Sequence, residues 1–395
     1  MTASAPQAQS FARALAIALL YAIPLAIVWN LAAERLAPSL VLQLMQLTGV
    51  TAAPAPASWS WRSFADGTLQ AAAARSVGAA APLRPLLIRL NNEIRYTLFG
   101  AIAAPDIIEG DHHQLIERYA WEEYCSRDAE TAARKAREII PKLRDIQAYY
   151  AARNRVFLYI ITPSKAAHLP EYFLRRFPCG NSPEDRATKL SALVGLLREA
   201  GIHVLDTASL IHGLKGTERV DLFARGSIHW NSLANAHAAD AVAAEINRLD
   251  GRAAIPRLHW RYQVVNGARG VDSDLADLMN LLVPRVQYPV PAVTQLPAAP
   301  CADQPSSRLD VAVIGNSFSE GLLEPLISGA CLTRLTIYRY LAVRHGATAE
   351  SWKLTPLESD IAPIRDADVV ILEENEGFAA EASYVARLRA LVADR

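Results

Sequence analysis

The sequence predicts an α/β domain of three layers, with helices on both faces of a mainly parallel β-sheet. Two observations support this prediction. Apolar runs of strand length, such as residues 155–162, are nearly continuous, as expected for strands buried on both faces. Longer segments of helical periodicity alternate with these runs along the chain. Such alternation is typical of parallel sheets, because each strand returns to the same edge through a crossover.

The composition is that of a folded chain. It has 395 residues, of which 51% are hydrophobic and 20% are charged, so a large core can form and a wholly disordered chain is excluded. Forty basic residues balance 40 acidic ones. The net charge therefore gives no indication of nucleic-acid binding.

Residues 14–33 form an uncharged apolar run near the N-terminus. The run has the length of a membrane-spanning helix, about 20 residues. We therefore expect a transmembrane signal anchor, although a buried core helix is the alternative. Arg13 precedes the run without any acidic residue, which favours a cytoplasmic location for residues 1–13. No small-residue cleavage site follows, so we expect the anchor to be retained.

The chain beyond the anchor is predicted to lie outside the cytoplasm. Residues 34–58 are expected to form a stem and linker, with Ala and Pro concentrated at 51–56. Residues 59–395 are expected to form the extracytoplasmic domain. Within it, residues 250–307 are rich in proline and are predicted to be an irregular excursion.

The elements of this domain follow from their periodicity. Helices are predicted at residues 59–96, 128–153, 184–200, 232–249 and 320–328, and at the C-terminus. Strands are predicted at residues 155–162, 203–205, 309–314, 335–340 and 367–372. Ser232 is expected to cap the helix that follows it.

The four cysteines fit an oxidising compartment, because an even number there permits two disulfides. Four cysteines allow three pairings. We expect Cys125 to pair with Cys179 and Cys301 with Cys331. No Cys-x-x-Cys spacing is present, which argues against a zinc or thioredoxin-like site.

The segment LDVAVIGNSFS, residues 309–319, carries the first chemical signal. A buried strand runs into Gly315, and a helix is predicted to begin directly after it. Ser317 would then lie at the carboxyl end of a parallel strand, where open α/β sheets bind ligands. Backbone N–H groups at the helix start could stabilise an oxyanion there. The alternative is that Ser317 or Ser319 only caps the helix.

A serine nucleophile needs a base, and His229 is the strongest candidate. It lies in the segment DLFARGSIHWN, residues 221–231, in a polar loop just before a helix. His203 and His237 lie at a strand edge and in an Ala-rich helix, so we interpret them as ordinary structural residues. A loop histidine alone is weak evidence, and His229 gains weight only because Ser317 lies in the same domain.

These two segments make the sequence resemble the periplasmic alginate O-acetyltransferases, which have an SGNH hydrolase-like domain. Residues 315–318 are similar to the family's Gly-Asp-Ser-Phe, and residues 227–230 to its Asp-x-His-Trp. Further similar segments are LNNEIRYTLFG at 90–100, Thr-Pro-Ser-Lys at 162–165 with Tyr172, and ADVVILEENEG at 367–377. The resemblance covers about residue 59 to the end.

Two positions depart from the family pattern. Ser227 stands where the family has the Asp that orients the histidine, and Asn316 replaces the Asp beside the nucleophile. Several groups could orient His229 instead: Ser227 with a backbone carbonyl, or a carboxylate. The candidate carboxylates are Asp221, Asp206, Glu373 and Glu374. The remaining alternative is a weakened or lost activity.

The resemblance implies acetyl transfer in two steps, without a cofactor or metal. His229 would deprotonate Ser317, which takes an acetyl group and passes it to a sugar hydroxyl. Trp230 could offer a stacking face to the sugar. The resemblance also implies a polysaccharide substrate, a polytopic membrane acyltransferase as acetyl donor, and a single-pass location in the bacterial inner membrane with the domain in the periplasm.

Three functions remain open from the sequence: a polysaccharide O-acetyltransferase, an acetyl esterase, and a non-catalytic glycan-binding or scaffold subunit of an envelope complex. The missing Asp favours the third. A metal phosphoesterase is disfavoured, because Asp111-His112-His113 has no upstream Asp-x-Asp segment to complete a metal site.

Overall fold

The computed structural model describes most of the chain as two compact units. The described residues are 21–22, 24–33, 36–42, 45–49, 59–251, 255–296, 309–322, 332–341, 343–348, 351–356, 362–380 and 383–393. The first unit comprises residues 1–105 and 277–285, and the second comprises residues 106–276 and 286–395.

The first unit is helical. Its helices are α1 (Trp61–Ala65), α2 (Thr68–Ala80) and α3 (Arg84–Phe99). The predicted helical segment 59–96 is thus three helices, and the left-handed backbone of Gly67 (φ 80°) separates the first two. Within this unit, Asn92 donates to the main-chain oxygen of Met279, and Arg285 pairs with Glu93 at 2.6 Å.

The predicted anchor is described only in part. Residues 24–33 are helical, whereas residues 14–20 lie outside the described residues, as does the linker at 51–56. Across the part of the chain that the structure describes, none of the helices is both long enough and apolar enough to cross a membrane.

The second unit is an α/β domain. Its strands are β1 (Ile107–Glu109), β2 (Leu115–Glu117), β3 (Val156–Thr162), β4 (Val204–Asp206), β5 (Trp260–Asn266), β6 (Pro289–Gln295), β7 (Leu309–Gly315), β8 (Leu332–Arg339), β9 (Val343–Thr348), β10 (Ser351–Pro356) and β11 (Val369–Asn375). Its helices include α4 (Arg118–Cys125), α5 (Ala129–Ala151), α6 (Lys165–His168), α7 (Glu171–Leu174), α8 (Pro183–Glu199), α9 (Thr207–Gly213), α10 (Ser232–Asp250), α12 (Ala362–Asp366) and α13 (Ser383–Ala393), together with the first three residues of α11 (Asp274–Leu278), whose last two residues are assigned to the first unit. Residues 317–322 are helical as well.

Seven strands form the central sheet in the order β10-β9-β8-β7-β11-β3-β4. The five strands from β8 to β4 are parallel, and β9 and β10 extend the sheet in antiparallel fashion. The prediction of a mainly parallel sheet is therefore confirmed. The carboxyl ends of β7, β11 and β3 lie side by side, so the residues that follow these strands meet at one edge.

Two apolar cores cover the two faces of the sheet, as a three-layer domain requires. Alternate residues of β3 point to opposite faces: Leu158 belongs to the core under α10, and Tyr159 to the core under α5 and α8. All seven residues of β3 are buried, which explains its continuous apolar sequence.

Two details differ from the sequence predictions. The excursion at 250–307 is not wholly irregular, because β5 and β6 pair in antiparallel register within it. Their alternating pattern was obscured by Pro289 and Pro291, which a two-stranded ribbon accepts because both of its strands are edges. The cap of α10 is Asn231 instead of Ser232, since its Oδ1 accepts from the backbone N–H groups of Leu233 and Ala234.

A disulfide joins Cys125, at the end of α4, to Cys179, 54 positions later. This confirms the first predicted pairing, whereas Cys301 and Cys331 lie outside the described residues. A disulfide stabilises mainly by restricting the unfolded chain.

Replacing Cys125 and Cys179 by serine should lower the free energy of unfolding by about 2–4 kcal/mol, because the closed loop is long. Urea unfolding of the double variant and the parent measures the difference. Peptide mapping under non-reducing conditions is the independent check, and free thiols at both positions would contradict the pairing.

Candidate active site

The turn after β7 presents Ser317. Asn316 caps the helix at 317–322, because its Oδ1 accepts from the backbone N–H of Phe318 at 2.8 Å. Its own N–H donates to Oε2 of the buried Glu373 at 2.9 Å. Gly315 is required here, since a Cβ would lie 2.6 Å from the same carboxylate oxygen. The backbone therefore passes tightly over Glu373 and turns Ser317 to the sheet edge.

The loop before α10 presents His229. Ser227 Oγ accepts from the backbone N–H of His229 at 2.8 Å, and so holds the residue in place. Trp230 is only 1% exposed and packs with Phe318 at 6.3 Å between ring centroids. Asn231 then starts the helix. Ser227, Trp230 and Asn231 thus secure the loop locally, and His229 directs its side chain to the nucleophile.

The two side chains meet. Ser317 Oγ lies 2.8 Å from Nε2 of His229, across 88 positions of sequence. The other ring nitrogen, Nδ1, hydrogen-bonds to Oδ2 of Asp274. Because the carboxylate accepts, Nδ1 carries the proton and Nε2 is free to accept from the Ser317 hydroxyl. The three residues have the arrangement of a Ser-His-Asp triad.

Asp274 is held by the segment that carries it. Its Oδ1 accepts from the backbone N–H groups of Ile228 at 3.0 Å and Leu275 at 2.6 Å. The carbonyl of Gly226 accepts from Leu275 and Ala276, both at 3.0 Å. The start of α11 is thus stitched to the histidine loop through main-chain hydrogen bonds, and the acid is positioned by backbone on both sides.

Gly226 allows this close approach. A Cβ there would lie 2.4 Å from the Tyr288 hydroxyl and 2.8 Å from Cβ of Ala276. The hydroxyl also accepts from the Gly226 N–H at 3.1 Å and donates to the carbonyl of Asp272 at 2.7 Å. Any larger residue would push the two segments apart.

Lys165 secures the same loop from beneath. It is fully buried, and its Nζ donates to the carbonyls of Ala224 at 2.8 Å, Arg225 at 2.9 Å and Ser227 at 2.8 Å. Burial lowers the pKa of this ammonium to about 7, while the Asp274 carboxylate raises it. Three carbonyls satisfy all three N–H donors, as a buried lysine requires.

Glu373 has the opposite shift. Burial raises the pKa of its carboxyl to about 7, opposed by hydrogen bonds from Thr162 and Asn316. The Thr162 hydroxyl donates to Oε1 at 2.5 Å. The carboxyl thus supports the nucleophile turn from below, in a site where the charged form is disfavoured.

A cavity of about 470 Å³ opens at Ser317. Aromatic side chains line it: Tyr119, Phe318, Tyr340, Phe378 and Tyr384. The Tyr340 hydroxyl lies 3.5 Å from Ser317 Oγ. Burial raises the pKa of Tyr384 to about 12, so this residue stays a neutral phenol at physiological pH. The volume of the cavity is in the range of pockets that bind whole small molecules, and it places such a ligand at the Ser317 hydroxyl.

Several residues singled out from the sequence have other positions. Ser227 holds the backbone of His229 instead of replacing an acid. Asn316 caps a helix beside the nucleophile. Trp230 is buried, so it cannot stack on a sugar, and that expectation is wrong.

The four carboxylates considered as partners of His229 also have other contacts. Asp221 lines a separate cavity of about 280 Å³, and its carbonyl accepts from Asn231. Asp206 caps α9 through the N–H of Ser209. Glu373 supports the nucleophile turn, and Glu374 accepts from the Tyr159 hydroxyl. The sequence left the partner of His229 open, and the structure places Asp274 there, which was not among the candidates.

Sequence reasoning missed Asp274 because it lies 45 positions after His229, in the segment interpreted as irregular. The available signal was weak: the acidic stretch DSDLADL at 272–278 inside a proline-rich region. Nothing local pairs it with the histidine, since the contact depends on the Gly226 carbonyl.

Within the described residues, no group of three or more His, Cys, Asp or Glu side chains could hold a metal ion. In the Asp111-His112-His113 segment, the Asp111 carboxylate pairs with Arg175, and Nδ1 of His113 lies 2.5 Å from Glu109.

A hydroxyl, an imidazole and a carboxylate in this order, at the carboxyl end of a parallel strand, define the class of α/β enzymes that form acyl-serine intermediates. A sequence model of the family described as "SGNH hydrolase-like domain, acetyltransferase AlgX" matches residues 119–325, which include all three triad residues. The chain belongs to this family, and the resemblance to the alginate O-acetyltransferases is confirmed.

Several solved structures are similar to this chain, among them the following three. The O-acetyltransferase domain of Pseudomonas putida AlgJ is 16% identical with a TM-score of 0.46, over 73% of this chain and 99% of that one. Pseudomonas aeruginosa AlgX is 14% identical with a TM-score of 0.47, over 73% of this chain and 67% of that one. Bacillus cereus PatB1 is 11% identical with a TM-score of 0.43, over 69% of this chain and 96% of that one. No curated protein matches the sequence.

Replacing Asp274 by Asn should lower the rate of ester hydrolysis by up to about 10⁴-fold, because the amide would favour the wrong tautomer of His229. Hydrolysis of 4-nitrophenyl acetate measures the rate, and thermal unfolding checks the fold.

Asp221→Asn is the matched control, since Asp221 was one of the four carboxylates considered from the sequence and lines a separate cavity. Its rate should stay within about twofold of the parent, well under 1 kcal/mol in activation free energy. Equal losses in the two variants would contradict the role of Asp274.

The stability of the Glu373→Gln variant relative to the parent protein should increase as the pH rises from 5 to 8. The folded-state pKa of Glu373, about 7, lies above its usual value of 4.5, so the native carboxyl binds its proton more tightly than the unfolded one. The parent protein therefore loses stability as the pH rises above 4.5, because the carboxyl ionises first in the unfolded chain. The loss grows until about pH 7, where the native carboxyl ionises too. The neutral amide avoids this loss, which amounts to about 2 kcal/mol between pH 5 and pH 8.

Urea unfolding of both proteins at the two pH values measures this change. A difference in unfolding free energy that does not depend on pH would refute the raised pKa.

Proposed function

We propose that the protein transfers acetyl groups to hydroxyls of an exported or cell-envelope glycan through an acetyl-serine intermediate. The observation that carries the proposal is the 2.8 Å contact between Ser317 Oγ and Nε2 of His229, with Asp274 on the opposite nitrogen. Membership in the SGNH hydrolase-like acetyltransferase family supports acyl transfer as the type of reaction.

In the first step, Ser317 attacks the carbonyl carbon of an acetyl ester. Its proton moves to Nε2 of His229 as the Oγ–C bond forms. The Asp274 carboxylate stabilises the imidazolium that results, and then the leaving group takes the proton as its bond to the acetyl carbon breaks. Acetyl-Ser317 and a neutral imidazole remain.

In the second step, a sugar hydroxyl attacks the acetyl-serine. His229 removes the proton of this hydroxyl, and the Ser317 oxygen receives it as the acetyl group leaves. Both tetrahedral intermediates carry a negative oxygen. The backbone N–H of Ser317, the first in the helix at 317–322, is the group suited to stabilise this charge, because the N–H groups of Phe318 and Ser319 donate to Asn316.

The location and the donor belong to the same proposal. Residues 14–33 would anchor the chain in the bacterial inner membrane, with the second unit in the periplasm. The Cys125–Cys179 disulfide supports an oxidising compartment. A polytopic membrane acyltransferase would supply the acetyl group at the membrane, and neither a cofactor nor a metal is needed for these steps.

The two alternative functions, an acetyl esterase and a non-catalytic scaffold, have different support. An acetyl esterase would use the same residues with water as the acceptor. A non-catalytic scaffold was favoured by the absence of an acid beside His229, and Asp274 removes that argument. The acceptor of the acetyl group, a sugar hydroxyl or water, therefore distinguishes the acetyltransferase from the acetyl esterase.

Ser317→Ala should abolish acetyl transfer while the thermal unfolding temperature stays within a few degrees, because a single hydroxyl is lost at a partly exposed site. The readout is the acetyl content of the extracellular and envelope glycans of the source bacterium, with the chain replaced by the variant. Normal acetylation in that strain would refute the nucleophile assignment.

Ser319→Ala is the matched control. Ser319 lies two positions away and is buried, and its hydroxyl donates to the carbonyl of Asn316 at 2.7 Å instead of facing the cavity. Glycan acetylation should persist in this variant. A loss equal to that of Ser317→Ala would mean that damage to the turn, not loss of the nucleophile, explains the result.

A further inference from the structure

Three exposed aromatic side chains surround Ser317. Tyr119 is 47% exposed, Tyr340 is 43% exposed and Phe378 is 41% exposed. All three line the cavity at the nucleophile. They are also the only exposed large aromatic side chains among the described residues of the second unit for which burial is known. We call these three side chains the aromatic rim.

The aromatic rim is held in place by its surroundings. The rings of Tyr119 and Phe378 lie 5.7 Å apart, and the backbone N–H of Phe378 donates to the carbonyl of Asn375 at 2.8 Å. Aromatic groups fixed in this way lose little conformational entropy when a ligand covers them.

Tyr340 is fixed more strongly still. Its backbone has a φ of 54°, in the left-handed region that non-glycine residues rarely adopt. Its N–H donates to the carbonyl of Gly315 at 2.8 Å, and Arg387 donates to its carbonyl at 3.1 Å. Strained backbone of this kind is concentrated at functional sites. Here it brings the Tyr340 hydroxyl to 3.5 Å from Ser317 Oγ.

The cavity is far larger than the group that the triad would carry. An acetyl group has two carbons, whereas a cavity of about 470 Å³ is in the size range of pockets for whole small molecules. Exposed aromatic surface next to a nucleophile marks a ligand site, since it is unfavourable in water without one. A pyranose ring fits this chemistry, because one of its faces is made of C–H bonds and its edge carries the hydroxyls.

We infer that the aromatic rim is the acceptor subsite: the C–H face of a pyranose ring packs on Tyr119 and Phe378, with a ring hydroxyl directed past Tyr340 to acetyl-Ser317. This inference rests on the proposed acyl-enzyme mechanism. The acetyl carbonyl carbon bonds to the sugar oxygen, its bond to Ser317 Oγ breaks, and the hydroxyl proton passes through His229 to Oγ.

The test compares two acceptors in the full-length chain with 4-nitrophenyl acetate as the acetyl donor. Methyl β-glucopyranoside has a ring, and erythritol is an open-chain polyol with the same number of hydroxyls. The measured quantity is the acetyl ester formed on each acceptor per nitrophenolate released, so changes in the acylation rate cancel. We expect the ring to be preferred over the open chain by at least about tenfold, equivalent to about 1.4 kcal/mol.

The variants Tyr119→Ala and Phe378→Ala should each reduce this preference severalfold. Leu210→Ala is the control, because Leu210 is exposed on α9 and does not line the cavity, and it should keep the parent preference. Equal transfer to the two acceptors in the parent would overturn the inference. So would a preference that the two rim variants leave unchanged, which is the result expected if the aromatic rim binds a protein instead.

Failure of the proposed function would look different. In that case nitrophenolate release would not depend on Ser317 in the parent chain, and no acyl-enzyme would exist to partition. Release that depends on Ser317 but lacks any preference for the ring refutes only the acceptor subsite.

Discussion

The site depends on the contact between the carboxylate of Asp274 and the imidazole of His229. These residues lie in two segments that no regular secondary structure joins. The Gly226 carbonyl makes this contact possible by accepting from two backbone N–H groups at the start of α11. Oδ1 of Asp274 also accepts from the backbone N–H of Leu275 in its own segment and from that of Ile228 in the histidine loop, so the acid has little freedom to leave the ring. The orientation of the base therefore follows from main-chain geometry.

The sheet supplies the other half of the arrangement. Parallel strands end at one edge, so the turn after β7, the end of β11 and the residues after β3 are brought together by topology alone. Two buried ionisable groups then secure the two loops. Lys165 holds the histidine loop through three carbonyls, and Glu373 holds the nucleophile turn through Asn316. Burial moves the pKa values of both groups towards neutrality, because it disfavours their charged forms. Holding the two loops in place with buried ionisable groups therefore costs stability.

The sequence was most informative where burial imposes a period. The strands β3, β7 and β11 and the helices α5, α8 and α10 were predicted within a few residues, because their apolar faces are continuous in the chain. Ser317 and His229 could be found because each directly precedes or begins a helix. Asp274 could not be found, since its role arises from a long-range backbone contact.

The prediction for Trp230 was wrong because a tryptophan beside a catalytic histidine is equally suited to pack the loop, and the structure buries it against Phe318. The antiparallel strands β9 and β10 were missed as well, since nothing in their short segments separates them from loop.

A serine at position 227 is compatible with a carboxylate beside His229. Ser227 holds the backbone of His229, and the carboxylate at Nδ1 comes from Asp274 in another segment. A triad is defined by geometry and by the roles of its members instead of by their sequence positions.

The most direct test of this account is to trap the intermediate. The full-length protein is treated briefly with 4-nitrophenyl acetate, quenched in acid and mapped by mass spectrometry, alongside the Asp274→Asn variant. We expect one acetyl group on the peptide that contains Ser317, formed much more slowly in the variant. Acetylation at another residue, or turnover without any modification of Ser317, would contradict it.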